Sequence, residues 1–179
     1  MVSNAAVLYS DDDGHNWHRG GDLDISGVPG GKGINGLDEI CLAELVDGSV
    51  FALCRTGTDR LYEARSTDGG VTWSKPQPSP LVASNAPASM VALDDPQGAV
   101  VVVWNETDKG DRKPLVAACS TDGCRSWCKS RVVFHGYAAY PSVVQAADGA
   151  IVAAWFQKVE GGTAIGCARF SWEWLAANR

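Results

Sequence analysis

Hydrophobic and polar residues alternate along this chain in short runs separated by turn residues. Runs of Val, Ala, Leu and Ile last only a few residues before Gly, Pro, Asp or Ser interrupts them, which is typical of β-strands and not of long helices. Ten segments are predicted to be strands: 5–10, 39–45, 50–55, 61–66, 88–93, 99–105, 114–120, 140–146, 150–157 and 164–170. The Gly-, Pro-, Lys- and Asp-rich segments 18–35, 76–87 and 107–113 are predicted to be surface loops. Residues 171–179 are predicted to form a helical turn around Trp172 and Leu175.

Three segments repeat one turn pattern, Ser-x-Asp-x-Gly-x-(Asn/Thr/Ser)-Trp, which we call an Asp box. The boxes begin at Ser10, Ser66 and Ser120, so that successive starts lie 56 and 54 residues apart. The residues that define them are Ser10, Asp12, Gly14 and Trp17, then Ser66, Asp68, Gly70 and Trp73, then Ser120, Asp122 and Trp127. The third box has Cys124 at the Gly position, where a left-handed backbone would cost about 1 kcal/mol, and it is predicted to be the weakest.

The Asp box has the chemistry of a hairpin turn. A short Asp carboxylate accepts hydrogen bonds from the backbone N–H groups of the turn, and Gly supplies the positive φ that the reversal needs. A period near fifty residues fits one four-stranded antiparallel blade of a β-propeller. We therefore predict an all-β chain whose complete units run strand, turn, strand, loop, strand, Asp box, strand. The motif itself is structural and carries no catalysis.

Charge and cysteine content restrict the classes of partner. The net charge is −6 and the pI is near 4.9, so nucleic acid and an anionic membrane are not expected as partners. Six Cys form no CxxC pair and there are three His, so that neither a metal site nor a cofactor is predicted. Most of the thiols are expected to be buried. One disulfide, between Cys41 and Cys54, would be compatible with an oxidising compartment.

Four polar side chains are predicted to gather at one end of the blades. If the Asp boxes join the third and fourth strands at one end, the opposite end collects the start of strand one, the end of strand two and the start of strand three. Those places hold Glu39, Arg55, Arg112 and Tyr140. We call this end the rim.

The hairpin at residues 45–49 admits two registers. A two-residue Asp-Gly loop would place Cys41 opposite Cys54, whereas a three-residue loop with a left-handed Gly48 would place Glu39 opposite Arg55. Only the second register puts that carboxylate and that guanidinium side by side on one face. The second register is the one that we predict.

These motifs, in this order, resemble those of the BNR/Asp-box exo-sialidase family. The segments that carry the resemblance are DEICLAELVDG at 38–48, CRT at 54–56, RSTDGGVTW at 65–73, WNETDKGDRKPL at 104–115 and AYPSVVQAADG at 139–149. The resemblance implies a six-bladed β-propeller, of which this chain would be about half, the C-terminal part. It also implies a sialic acid glycoside as substrate, three arginines that hold its carboxylate, a tyrosine–glutamate nucleophile pair and an aspartate acid/base.

Carried over by position, the resemblance makes Arg55 and Arg112 carboxylate-binding arginines, Tyr140 the nucleophile and Glu39 its general base. Bidentate bonding to a carboxylate explains arginine at such positions. A neutral phenol also avoids the repulsion that a carboxylate nucleophile would meet from the substrate. Other interpretations stay open: a plain Glu39–Arg55 ion pair, a core or rim aromatic at Tyr140, and a solvated loop residue at Arg112.

Residues 1–35 contain no match to the first arginine or to the aspartate acid/base of that family, and Arg19 is no substitute. The chain alone is therefore expected to be a weak or inactive sialidase-like glycoside hydrolase. The alternatives are a non-catalytic carbohydrate-binding propeller module and a structural propeller that binds proteins.

The expected ligand is a sialic acid-type sugar or another carboxylated glycan. The expected units are a partial blade at 1–35, blades at 36–82 and 83–135, and a final partial blade at 136–179. Because half a propeller leaves open edges, self-association or additional N-terminal blades are expected to close it.

Overall fold

Four antiparallel β-sheets make up almost all of the chain in the computed structural model, which describes residues 5–24, 26, 28 and 36–177. Sheet 1 contains β1 (Ala6–Tyr9) and β2 (His18–Asp22). Sheet 2 contains β3 (Leu37–Glu44), β4 (Val50–Thr56), β5 (Arg60–Ser66) and β6 (Gln77–Val82). Sheet 3 contains β7 (Ser89–Ala92), β8 (Val100–Asn105), β9 (Leu115–Ser120) and β10 (Arg131–Phe134). Sheet 4 contains β11 (Ala138–Gln145), β12 (Ile151–Val159) and β13 (Gly162–Phe170), and helix α1 (Trp172–Ala176) follows it.

Each sheet runs in sequence order, so every strand pairs with its neighbour along the chain. The ten predicted strands and the helical turn are all present, with ends shifted by at most a few residues. Two predicted loops are wrong in part, because 18–35 contains β2 and 76–87 contains β6. Both strands follow an Asp box and lie at the edge of a sheet, where a polar sequence or the prolines Pro78 and Pro80 are tolerated. The rest of the predicted 18–35 loop lies largely outside the described residues.

Three hydrophobic clusters lie between successive sheets. They form because successive side chains of a strand point to opposite faces of the sheet, so that one strand contributes to two clusters. In β4, Phe51 and Leu53 face sheet 3, whereas Ala52 and Cys54 face sheet 1. In β8, Val100 and Val102 belong to the cluster shared with sheet 2, and Val101 belongs to the cluster shared with sheet 4. Central strands that are buried on both faces in this way read as near-continuous apolar runs. Among the described residues, no helix is long and apolar enough to cross a membrane.

The three Asp boxes share one hydrogen-bond set. In the second box, Ser66 Oγ donates to Asp68 at 2.8 Å and accepts from Gly70 N at 2.8 Å, while Thr72 donates to Asp68 from its backbone N at 2.8 Å and from its Oγ1 at 2.5 Å. The equivalent bonds hold Asp12 in the first box and Asp122 in the third. Each box therefore closes its turn on a carboxylate.

These hydrogen bonds lower the pKa values of the box carboxylates. The side-chain and backbone bonds from Thr72, followed by the bond from Ser66, lower the pKa of Asp68 to about 2. For Asp122, burial alone would raise the pKa, but the bonds from Ser126, Ser120 and Arg125 outweigh it and lower the pKa. All of these bonds favour the ionised form.

The substitution of Cys124 for Gly does not disrupt the third box. Cys124 has φ 60°, so the position is left-handed as expected, and its backbone N still donates to Ser120 Oγ at 3.0 Å. Its side chain is buried in the cluster between sheets 2 and 3. The backbone conformation therefore disfavours Cys124, whereas burial of its side chain favours it.

The hairpin between β3 and β4 has the predicted three-residue loop. Leu45 N donates to Ser49 O at 2.8 Å, and Gly48 has φ 78°. Cys41 accordingly lies opposite Leu53, and Cys54 lies opposite Ile40. No sulfur–sulfur contact joins Cys41 to Cys54 within the described residues, so the structure gives no support to the disulfide considered from the sequence.

The predicted pairing of Glu39 with Arg55 is wrong by one residue. The register shifts between Asp38 and Ile40, so Arg55 lies opposite Asp38 and Glu39 is the extra residue of a β-bulge. Its backbone has φ 24°. The predicted pairing requires an uninterrupted register along the hairpin, and the bulge of one residue between Asp38 and Ile40 shifts that register.

Candidate functional site

Glu39 and Arg55 contact each other at the rim despite the bulge. Arg55 Nη1 donates to Glu39 Oε2 at 2.5 Å. The Arg55 side chain is 12% exposed and that of Glu39 is 37% exposed. The carboxylate of the pair is therefore partly open to solvent, whereas most of the arginine side chain is buried. The bulge directs Glu39 towards the end of β4, where Arg55 lies.

Asn85 is a third member of this group, and the sequence analysis did not identify it. Arg55 Nε donates to Asn85 Oδ1 at 2.8 Å, and Asn85 has φ 51°, a left-handed conformation that Asn tolerates better than most residues. The side chain of Arg55 is therefore held from two directions, by a carboxylate and by an amide. Residues 83–87 were predicted as part of the loop 76–87, and nothing in their sequence indicated this contact.

Arg112 and Tyr140 form the second pair. The Cζ atom of Arg112 lies 4.6 Å from the centroid of the Tyr140 ring, and Arg112 O accepts a hydrogen bond from Ala138 N at 2.8 Å. Tyr140 is 58% exposed. It lies in a β-bulge between Ala139 and Ser142 and has φ 51°.

Glu39 and Tyr140 occupy equivalent places in sheets 2 and 4. Each lies nine residues before the left-handed glycine of the following hairpin, Gly48 or Gly149, and each is in a bulge of the first strand with a positive φ. A non-Gly residue in that conformation is uncommon and often marks a functional site. The equal spacing of nine residues can be read from the sequence, whereas the two bulges cannot be predicted from it.

The two pairs are connected through the segment that contains Asn85. A Cβ added at Gly110 would lie 3.8 Å from Ser84 Oγ, so the loop that carries Arg112 packs against the residue next to Asn85. The order of contacts is therefore Glu39 to Arg55, Arg55 to Asn85, Ser84 to the 107–113 loop, and Arg112 to Tyr140. The structure brings the four predicted residues to one end of the sheets. Within the described residues, no hydrogen bond joins Tyr140 to Glu39.

Unsatisfied polar atoms concentrate at this end. Among the described residues, four buried side-chain atoms lack a hydrogen-bond partner, and three of them are Ser84 Oγ, Asn105 Oδ1 and Arg112 Nη1. Buried polar groups in folded proteins are normally paired, so each exception calls for a physical explanation. Asn105 follows Gly98 by seven residues just as Arg55 follows Gly48 by seven. Comparing the two hairpins could therefore have identified Asn105 from the sequence.

The described residues contain no cluster of His, Cys, Asp and Glu suited to a metal ion. What the rim offers is two guanidinium groups, one phenol and one carboxylate, the last already bonded to an arginine. Such a set can bind an anion with planar geometry, because guanidinium pairs with carboxylate through parallel N–H···O bonds. The phenol and the carboxylate add a potential nucleophile and a potential base.

Comparison with known proteins identifies the family. The model of the BNR repeat-like domain family matches residues 2–153, and the chain therefore belongs to the BNR-repeat, sialidase-like family. It is 30% identical over 182 residues to a sialidase of Micromonospora viridifaciens, covering 96% of this chain and 26% of that protein. It is 37% identical over 113 residues to the anhydrosialidase of Macrobdella decora, covering 63% of this chain and 13% of that protein. The chain thus spans about a quarter or less of the length of these relatives.

Solved structures show the same fold. A leech intramolecular trans-sialidase in complex with 2,7-anhydro-Neu5Ac superposes with a TM-score of 0.78 at 20% identity, over 96% of this chain and 28% of that one. The Ruminococcus gnavus intramolecular trans-sialidase in complex with oseltamivir carboxylate gives a TM-score of 0.76 at 20% identity, over 94% of this chain and 38% of that one. The NanB sialidase of Streptococcus pneumoniae gives a TM-score of 0.78 at 17% identity, over 98% of this chain and 28% of that one.

Proposed function

We propose that this chain is the C-terminal portion of a sialidase-like glycoside hydrolase and that its rim binds the carboxylate of a sialic acid-type sugar. Arg55 and Arg112 bind that carboxylate, Tyr140 is the nucleophile and Glu39 is its general base. Membership of the sialidase-like family supports the proposal, as do the two relatives whose structures contain sialic acid-derived or carboxylate ligands.

The observation that carries the proposal is the state of Arg112. Its Nη1 is buried without a hydrogen-bond partner among the described residues, while its guanidinium lies over the Tyr140 ring. An unpaired guanidinium N–H is unfavourable where water is excluded. A carboxylate ligand would supply the missing acceptor, and it would do so beside the proposed nucleophile.

The Glu39–Arg55 ion pair suggests how binding prepares the base. A substrate carboxylate that binds Arg55 competes with Glu39 for the same Nη1 donor. Glu39 then becomes able to accept a proton from another group, and within the proposed set the phenol of Tyr140 is the group that can give one up. A phenol becomes an effective nucleophile only when a base removes its proton in the transition state.

A carbohydrate-binding module without catalysis is the second candidate function. It is favoured by the absence of a hydrogen bond between Tyr140 and Glu39 in the described part of the chain. In this candidate the two arginines bind the same carboxylate and no bond is broken.

Release of a fluorogenic leaving group from an α-sialoside separates the two candidates. For the enzyme we expect turnover that falls at least about 100-fold in Tyr140→Phe. Tyr137→Phe is the matched control, because Tyr137 lies three residues away and its ring packs against Lys158 instead of Arg112. If the wild-type chain gives no turnover but binds sialic acid, and the Arg55→Ala variant loses that binding, this chain on its own acts as a binding module. If it neither turns over a sialoside nor binds sialic acid, the proposed function is wrong.

We also propose that the four sheets are blades of one propeller, with a partial blade at 1–35, blades at 36–82 and 83–135, and a partial blade at 136–179. Such a portion would be about half of a six-bladed ring. The outward face of sheet 4 supports this proposal, because Val144, Phe156 and Ile165 are exposed there. At the other end of the row, Leu8 and Trp17 of the first box region are also exposed. Further blades, or a second copy of the chain, would cover both faces.

A further inference from the structure

Cys119 and Cys128 lie against each other across the third Asp box. Their sulfur atoms are 2.9 Å apart, and Cys128 N donates to Cys119 O at 2.7 Å. A disulfide bond is about 2.05 Å long and joins residues whose Cα atoms lie about 4.4–6.8 Å apart. We propose that these two thiols are a site of oxidative modification, where a low-molecular-weight disulfide converts them into an intramolecular bond that closes the third Asp box.

The second Asp box shows that the backbone favours this contact. Arg65 and Ser74 are nine residues apart, as are Cys119 and Cys128, and Ser74 N donates to Arg65 O at 2.8 Å. Arg65 N donates to Ser74 Oγ at 3.0 Å, just as Cys119 N donates to Cys128 Sγ at 3.0 Å. The box therefore brings these two positions together whichever residues occupy them, and only the third box has cysteine at both.

Accessibility favours Cys128 as the thiol that reacts first. Cys128 is half-buried and lines an open cleft of about 650 Å³ together with Trp127, Arg125 and Lys129. The cleft also contains the carboxylate of Glu106, to which Ser130 Oγ donates at 2.7 Å. The two cations outnumber this one carboxylate and favour an anionic reagent such as oxidised glutathione. Cys119 is buried, but it needs no access to solvent because it reacts only with the sulfur of Cys128.

The other thiols are poorly placed to compete. Burial raises the pKa of Cys41, of Cys54 and of Cys124 to about 12 in each case, so these groups form little thiolate near neutral pH. Cys167 is exposed on sheet 4, and no sulfur contact joins it to another described cysteine. It can react with the reagent but has no second thiol in the same chain to complete an internal bond.

The reaction is a balanced thiol–disulfide exchange. The Cys128 thiolate attacks one sulfur of the reagent RSSR, forms a mixed disulfide and releases RS⁻, which takes up the proton that Cys128 lost. The Cys119 thiolate then attacks Cys128 Sγ, forms the Cys119–Cys128 bond and releases the second RS⁻, which is protonated in turn. Two protein thiols are oxidised to one disulfide, and one RSSR is reduced to two RSH.

The new bond would stabilise the box with the unfavourable backbone. It closes the ten-residue segment from Cys119 to Cys128, which contains Cys124 at φ 60°. Constraining a loop of that length in the unfolded chain raises the Tm of a domain of this size by about 5 °C or more. The stability of the third box would then depend on the redox state of Cys119 and Cys128, whereas the stability of the first two boxes would not.

The test uses the full chain incubated with oxidised glutathione and, separately, with reduced glutathione. The Cys167→Ser variant serves as background, because it excludes mixed disulfides at Cys167 and leaves five of the six cysteines. In this background we expect the titratable thiols to fall from five to three. Peptide mapping without reduction is expected to show a link between Cys119 and Cys128. The Tm of the oxidised chain is expected to be about 5 °C higher than that of the reduced chain, and dithiothreitol is expected to reverse this rise.

Cys128→Ser is the matched control, because serine can accept the hydrogen bond from residue 119 as Ser74 accepts it from Arg65. Its Tm in reduced glutathione is expected to equal that of the background, with no rise on oxidation. Cys119→Ala provides the same comparison if Cys128→Ser does not fold. The proposal is overturned if no Cys119–Cys128 link forms, if links form only to other cysteines or between chains, or if the controls gain the same Tm.

Discussion

The guanidinium of Arg112 lies over the aromatic ring of Tyr140, 4.6 Å from its centroid. The loop before β9 supplies the arginine, and a left-handed bulge residue of β11 supplies the ring. This contact joins sheets 3 and 4 at the rim. A ligand that binds Arg112 must share that guanidinium with the ring or displace it, and this couples carboxylate binding to the position of the proposed nucleophile.

Replacing Asn85 by glycine is expected to weaken binding of sialic acid about tenfold. The variant removes the bond from Arg55 Nε to Asn85 Oδ1, and a hydrogen bond to a charged group contributes about 1.5 kcal/mol. Glycine tolerates the φ of 51° at this position, so the backbone is not strained. Calorimetric titration measures the affinity, and an unchanged Tm serves as the control for folding. An affinity equal to that of the wild type would show that Asn85 does not position Arg55.

Gly20→Ala is expected to lower the Tm by about 3–10 °C, in line with an overpacking cost of about 1–3 kcal/mol. An added Cβ would lie 2.3 Å from the carbonyl oxygen of Gly70, a backbone atom of the second Asp box. Gly21 N donates to Val71 O at 2.7 Å in the same contact between sheets 1 and 2. Gly162→Ala is the matched control, because nothing lies within 4 Å of its added Cβ. Equal Tm values for the two variants would contradict this packing.

Asp68→Asn is expected to lower the Tm at pH 7, with a difference from the wild type that disappears near pH 2. The folded-state pKa of Asp68, about 2, lies below the unfolded value of about 3.9. Its stabilisation is therefore complete above about pH 4 and is lost as the pH falls through the folded value. Circular dichroism at several pH values measures the difference. Asp11→Asn removes an exposed carboxylate of the first box and is the control for the loss of one negative charge.

Self-association is expected at micromolar concentration if the open faces of sheets 1 and 4 pair. Light scattering should then give a mass of about twice that of the chain. Ile165→Lys places a charge on the exposed face of sheet 4 and is expected to give monomers. Val132→Lys changes an exposed residue of the edge strand β10 and should leave the mass unchanged. A monomeric wild type would contradict closure by a second copy.

The arrangement of antiparallel sheets was predictable because the same local turn motif recurs along the chain, and its spacing gives the length of each repeated unit. Three Asp boxes at near-equal spacing fixed the hairpins, and the apolar runs of β4 and β8 are explained by sheets that pack on both faces. A strand after each Asp box was predicted, but the bounds of β2, β6 and β10 were not, because these edge strands bury few residues: Gly20 in β2, Ser79 and Leu81 in β6, and none in β10. Their pairing depends on backbone hydrogen bonds to the preceding strand, which leave little trace in the side chains.

For the candidate site, the sequence predicted which residues lie at the rim but not the contacts that they make there. Glu39, Arg55, Arg112 and Tyr140 follow from strand polarity, but the bulges at Glu39 and Tyr140 do not, because no residue at either place is a glycine that would signal a positive φ. Asn85 depends on how sheet 3 packs against sheet 2, which is a tertiary relationship. The contact between Cys119 and Cys128 was accessible in principle, since both flank a box at positions equivalent to Arg65 and Ser74.

Calorimetric titration of the full chain with sialic acid and with its methyl ester tests the central claim most directly. We predict that the wild type binds the acid and binds the ester at least tenfold more weakly, because the ester cannot accept paired guanidinium bonds. Arg112→Ala should bind the acid no better than the ester, whereas Arg169→Ala, at the hairpin end where Arg169 pairs with Asp148, should behave as the wild type. Equal affinity of the wild type for acid and ester, or full affinity in Arg112→Ala, would contradict the account.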